Sequence, residues 1–306
     1  MSHPKMTDKM RLAAIDVGSN SIKMLAAELS AAGISSIKWH SITVRLQSGL
    51  LPDGSLDEAA LSRAENAIGT LAAMARELNI ERISAFGTSA LRDAKNSAEL
   101  VRRVWEHHGV RLRIISGEEE AESAYAAAAP AGRAMVVNPG GGSTEMIIGE
   151  DGRVLAAVSA HVGAVSLMNE TAGLSAEQVI ERAAAHLLPE WKKLGLPAPQ
   201  QVIASGGAAA CTADVLIAKP VRDPALVEGY RLTLESAQAL YEKLFAMPVE
   251  QRLAMPGMNP NRADILPYGL AILIAFMRLS GAPALTISDR GNVYGFLQRM
   301  AAEWQK

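Results

Sequence analysis

The feature that most limits what this 306-residue chain can fold into is a strand–loop–strand pattern that occurs twice. The clearer copy is AMVVNPGGGSTEMIIG, Ala134 to Gly149, where the apolar runs Met135 to Val137 and Met146 to Ile148 flank three glycines, a serine and a threonine. It reads as a β-hairpin. The second copy, LAAIDVGSNSIKMLAAEL from Leu12 to Leu29, places Asp16-x-Gly18-Ser19-Asn20-Ser21 where the first has Asn138-x-Gly140-Gly141-Gly142-Ser143-Thr144. A weaker third member is VIASGGA, Val202 to Ala208. Two related hairpins about 120 residues apart point to a duplicated α/β domain with a cleft between the copies, at about the size expected for one domain each.

Such loops suit an anion. Glycines let the backbone come close and take positive φ, so several N–H groups can converge on one phosphate while Ser143 and Thr144 add hydroxyls. Glu145 sets a carboxylate beside the loop, which a phosphate-only cradle would avoid unless a cation lies between them. The plain alternative is a turn and nothing more. The chain has no G-x-x-x-x-G-K-[ST], and Gly140-x-Gly142 lacks the third glycine and the strand-to-helix setting of a dinucleotide fingerprint.

Composition narrows the partners. With 49% hydrophobic and 20% charged residues the chain is long enough for two cores, and a net charge of −2 without a basic run argues against nucleic acid. The single cysteine, Cys211, and a start, Met1 to Lys9, without an apolar core fit a reducing cytoplasm. Ile265 to Leu279 is too short to span a bilayer and reads as a buried helix, so no membrane is expected.

Along the chain, Ile34 to Leu46 reads as a third strand. Ser55-x-x-Glu58 reads as a capping box before a long amphipathic helix. A buried strand, Ile83 to Phe86, runs into Gly87-Thr88-Ser89-Ala90-Leu91-Arg92, where α/β sheets place ligand groups, and Arg92 has the planar fork that suits phosphate oxygens. Asn96 to Glu99 reads as another cap. His107 and His108, neighbours on one helix, make a poor metal pair and read as surface residues. Glu118, Glu119 and Glu120 open an alanine-rich helix, and the helix macrodipole alone would account for all three.

DVGSNS, FGTSALRDAKN, ISGEEEA, GGGSTE, HVGAVSL and ASGG follow one another in order over nearly the whole chain. This set resembles the exopolyphosphatase and guanosine pentaphosphate phosphohydrolase (Ppx/GppA) family, within the superfamily of actin, sugar kinases and heat-shock chaperone ATPases. The resemblance implies two ribonuclease H-like domains with a central cleft. Residues 1–128 would carry the first loop and the catalytic glutamate, and 129–306 would form the second domain, its last helix (about 291–306) packing back on the first. It implies a Mg²⁺-dependent exopolyphosphatase with Glu120 as general base and Arg92 clamping phosphate. Gly18, Ser19, Asn20, Ser21, Thr88, Ser89, Gly140, Gly141, Gly142, Ser143, Thr144, Gly206 and Gly207 would bind the substrate phosphates. Inorganic polyphosphate is the expected substrate, guanosine pentaphosphate the alternative, and a homodimer is compatible with the family. Arg262 and Arg290 would line the anion path or pair with Asp264 and Asp289, with structural pairing favoured for Arg262.

One departure stands out. Where the family has aspartate at the start of the second loop, this chain has Asn138. The expected metal set is therefore Asp16, Asn138 and Glu145, one charge short, which weakens a hard cation's hold and leaves open a binding protein with little or no turnover.

Overall fold

The computed structural model describes residues 10–30, 33–128, 132–219 and 221–304. The chain divides into two compact units, Met1–Ser116 with Asn292–Lys306, and Gly117–Gly291. The division falls at Ser116 and Gly117 instead of 128 and 129, so the helix carrying Glu120 belongs to the second unit.

The first unit contains β1 (Met10–Val17), β2 (Ser21–Ser30), β3 (Gly33–Thr43), α1 (Glu58–Glu77), β4 (Ile83–Gly87), α2 (Ser89–Asp93), α3 (Ser97–His108) and β5 (Arg111–Ile114), closed by α12 (Asn292–Trp304). Its sheet runs β3-β2-β1-β4-β5, an antiparallel meander continued by two parallel strands. β1 is buried on both faces, which explains its unbroken apolar run. Ala13, Ile15 and Val17 pack with α1, while Leu12 and Ala14 pack with α12, where Phe86 stacks on Phe296 at 4.7 Å between ring centres.

The second unit contains α4 (Gly117–Ala128), β6 (Arg133–Pro139), β7 (Thr144–Glu150), β8 (Arg153–Ala160), α5 (Ala164–Glu170), α6 (Ala176–Leu194), β9 (Gln201–Ala204), α7 (Gly206–Ile217), α8 (Pro224–Val227), β10 (Arg231–Thr233), α9 (Leu234–Ala246), α10 (Val249–Leu253), α11 (Leu266–Ser280) and β11 (Ala284–Ile287). Its sheet order is β8-β7-β6-β9-β11, the plan of the first unit, with β10 added antiparallel at the edge. The apolar helix expected near Ile265 to Leu279 is α11, buried in the larger core. The opposite face of the sheet is covered by α4, whose Ala121, Ala124 and Tyr125 pack on Ala134, Val136 and Ile147. Tyr125 can lie there because Gly149 has no side chain; a Cβ at that position would strike the ring. That packing is why α4 goes with the second unit.

Local capping departs from the sequence reading in two places. The α1 cap is Asp57, which accepts from the Ala60 N–H at 2.6 Å, while Ser55 bonds Asp53. Asn96 turns away from α3 and bonds both the N–H and the carbonyl of Leu56, at 2.8 and 2.9 Å, because tying the two segments together satisfies both ends of its amide. No helix among the described residues is long and apolar enough to cross a membrane.

Candidate active site

In the second unit three side chains stand in a row across three strands. Asn138 of β6 pairs with Glu145 of β7, which pairs with Ser159 of β8. Asn138 Nδ2 donates to Glu145 Oε2 at 3.5 Å, and the Ser143 and Ser159 hydroxyls donate to Oε1 at 2.7 and 3.1 Å. Glu145 is 1% exposed. A carboxylate that deep is tolerated only with donors or a cation around it, and these three donors are neutral.

The row lies on the sheet face that α4 covers, because Asn138, Glu145 and Ser159 share alternation with Val136, Ile147 and Ala157. The helix begins beside Ser159: a Cβ on Gly117 would sit 3.7 Å from the Ser159 Cβ. In its first turn Glu118 is exposed and Glu119 half-buried, but Glu120 is only 4% exposed. The macrodipole favours all three carboxylates; it does not explain burying one.

The loop ahead of Glu145 is held from behind. Gly140 N–H donates to the Ser143 carbonyl at 2.8 Å, and the first N–H groups of α5 donate to the carbonyls of Gly140 and Gly141 at 2.9 to 3.1 Å. Two hydroxyls expected to face phosphate are turned inward, Ser143 to Glu145 and Thr144 to the Val162 carbonyl. What Gly140–Gly142 presents is half-buried backbone. Gly206, at φ +87°, packs against Asn138 Oδ1, and Gly207 against the Arg262 guanidinium, where a Cβ on either would collide.

Asp264 accepts the Ile265 N–H at 3.0 Å, and its charge also acts on the buried Arg262. Burial pushes the Arg262 pKa down. Asp289 pairs with Arg222, which also holds Asp214, so its cation is not Arg290. Of the two histidines, His107 is exposed, as expected of a surface residue, and bonds Glu65 at 2.6 Å, whereas His108 is half-buried against Gly69.

The first unit repeats the design with other chemistry. Gly18 N–H donates to the Ser21 carbonyl at 3.2 Å, as Gly140 does to Ser143. The corresponding row is Asp16, Lys23 and Ser41. Lys23 Nζ lies 3.9 Å from Asp16 Oδ2, and burial, only partly opposed by that ammonium, pushes the Asp16 carboxyl up. The Asn20 carbonyl accepts from Val44 and Arg45, Ser19 Oγ meets Ser89 Oγ at 3.1 Å, and the Thr88 N–H donates to Val17. Arg92 Nη1 donates to the Ile115 carbonyl at 3.2 Å, which fixes one edge of its fork.

Lys23 and Ser159 are absent from the sequence-derived site. Lys23 could have been found by aligning the two hairpins, because it stands to Asp16 as Glu145 does to Asn138. For Ser159 there was no such signal. In kind, the Asn138 and Glu145 oxygens fit Mg²⁺, which is held through one or two carboxylates while keeping waters and ligand phosphates. Among the described residues no group of three or more His, Cys, Asp or Glu is arranged to hold a metal unaided.

Comparison with known proteins decides the family. A model of the Ppx/GppA phosphatase family matches residues 25–303. The chain belongs to the Ppx/GppA family. A Haemophilus influenzae protein provisionally named exopolyphosphatase is 31% identical over 99% of this Ppx/GppA chain and 95% of its own length. A guanosine-5'-triphosphate,3'-diphosphate pyrophosphatase of Aeromonas hydrophila is 29% identical over 93% of the chain, which spans 59% of that relative. The crystal structure of the Aquifex aeolicus Ppx/GppA family member superposes with a TM-score of 0.82 at 25% identity, covering 98% of this chain and all of that one. A Cytophaga hutchinsonii exopolyphosphatase shares the fold, with a TM-score of 0.86 at 24% identity over 96% of this chain and 98% of its own. The duplicated actin-like α/β fold expected from the motifs is thereby that of this phosphatase family.

Proposed function

We propose that this Ppx/GppA phosphatase hydrolyses the terminal phosphate of inorganic polyphosphate, with Glu120 as general base. The observation that carries the reading is a carboxylate buried in the first turn of α4, the helix that covers the sheet face bearing Glu145. Glu120 takes a proton from water, the water oxygen attacks the terminal phosphorus, and the bridging P–O bond breaks as the shortened chain leaves. Backbone N–H groups of Gly141–Gly142 and Gly206–Gly207 hold phosphate oxygens, an electrostatic task that fixed dipoles perform without reorganising. In the first unit Ser19, Asn20, Ser21, Ser89 and Arg92 serve as phosphate donors, since the Gly18 and Thr88 N–H groups are engaged with the Ser21 and Val17 carbonyls.

In the second unit Asn138 and Glu145 would hold Mg²⁺, which would neutralise charge developing on phosphate oxygens. The test is phosphate release from long-chain polyphosphate across a Mg²⁺ titration. Activity abolished by Glu120→Ala supports the reading. Polyphosphate binding without release from any form would make the protein a sensor instead. The Aeromonas relative favours guanosine pentaphosphate as the second substrate to assay, and release from that nucleotide alone would replace polyphosphate in the reading.

A further inference from the structure

Ser159 is half-buried on the edge strand β8, and its hydroxyl reaches Glu145 Oε1 at 3.1 Å. It shares that oxygen with Ser143, so two hydroxyls approach Oε1 from different elements, the loop and the neighbouring strand. Two fixed donors on one oxygen restrict rotation of the carboxylate and direct its second oxygen, Oε2, toward Asn138. Where Asn138 brings an amide oxygen and no charge, Glu145 is the only carboxylate of the row, and its orientation decides how well the row holds a cation. We infer that Ser159 is a positioning residue for divalent-cation binding, acting through Glu145; this rests on the metal reading above.

The first unit supplies a control. Ser41 occupies the same place in its row but stands opposite Lys23, an ammonium that has no carboxylate oxygen to accept its hydroxyl. The same substitution therefore removes a hydroxyl that orients a carboxylate in one unit and one that does not in the other.

The experiment measures Mn²⁺ binding by calorimetry to the full chain without substrate, with phosphate release across a Mg²⁺ titration as a second readout. Wild-type protein is compared with Ser159→Ala, Ser159→Thr, Ser41→Ala and Glu145→Gln. Outer-shell hydrogen bonds to metal ligands typically contribute about 10-fold or more in affinity, so Ser159→Ala is expected to weaken Mn²⁺ binding and raise the Mg²⁺ requirement by about that factor. Ser159→Thr, which keeps the hydroxyl, restores both, and Ser41→Ala changes neither. If Glu145→Gln weakens Mn²⁺ binding while Ser159→Ala binds like wild type, the positioning role is overturned and the metal reading stands. If Glu145→Gln binds Mn²⁺ as wild type does, both fall. A loss in Ser159→Ala that the threonine variant does not recover, with an equal loss in Ser41→Ala, marks a general structural effect and overturns the inference.

Discussion

The two units share one strand order and one hairpin turn, yet at one matching position they carry opposite charge, Lys23 in the first and Glu145 in the second. Asp16, Lys23 and Ser41 stand across the first sheet where Asn138, Glu145 and Ser159 stand across the second. In the first row an ammonium lies beside the carboxylate, 3.9 Å away. In the second, the carboxylate is met by an amide and two hydroxyls. The covering helix differs in the same sense: α12 brings Phe296 against Phe86, whereas α4 brings small alanines and a buried glutamate. A duplicated scaffold has kept its backbone and divided its chemistry, one half with an ammonium beside its carboxyl group and the other with a carboxylate among neutral donors.

The largest expected break in this contrast is at Glu120. Its replacement by alanine removes the proposed base, which general-base catalysis values at about 10² to 10⁴ in rate, and leaves polyphosphate binding in place. Assays of release and of binding on one preparation separate the two effects. Next comes Asn138→Asp, which gives the second row the carboxylate that the first already has. It is expected to lower the Mg²⁺ concentration for half-maximal release by about tenfold, since hard cations depend on carboxylates; an unchanged titration would remove Asn138 from the metal set.

A smaller effect is expected at the turns. A Cβ at Gly140 would approach the Ser143 carbonyl to 3.0 Å and one at Gly18 would approach the Ser21 carbonyl to 3.2 Å. Both alanine variants should destabilise by about 1–3 kcal/mol in urea unfolding, Gly140 more than Gly18, because the backbone oxygen in the way cannot rotate aside. The smallest change is expected from Asp16→Asn. Burial raises the Asp16 carboxyl above its ordinary 3.8, so its contribution to stability is full below that value and is lost as pH rises through the raised one. With a chelator present, the asparagine form should therefore melt higher than wild type at neutral pH and lose that advantage below pH 3.8. A gain that persists in acid would assign the effect to something other than charge burial.

Much of the site was legible in the chain. The hairpins and their glycine loops, with Glu145 beside the second, follow from strand patterning and turn chemistry, both local, whereas the proposed metal role of Asp16 and Asn138 came from the family resemblance. Glu120 was distinguishable from Glu118 and Glu119 only through family resemblance, since a helix first turn welcomes any carboxylate; its burial needed the sheet beneath it. The inward turn of Ser143 and Thr144 was not legible either. A hydroxyl's partner depends on which acceptor is nearest in space, and the Val162 carbonyl lies 18 residues away in sequence.

By itself, the sequence determined two copies of a strand–loop–strand motif and the residue types beside each loop, because alternation and glycine content act over a few residues. Tertiary structure alone decided which residues meet. Continued without interruption from Glu150 opposite Arg153, the β7–β8 pairing would bring Val158 opposite Glu145. A bulge at Leu155 shifts it by one and brings Ser159 there instead, and the same slip at Ile37 brings Ser41 opposite Lys23. A one-residue slip turns every following side chain to the other face, and no local pattern announces it. The choice of α4 over the second sheet and α12 over the first rests likewise on long-range packing, of Tyr125 on Gly149 and Phe296 on Phe86.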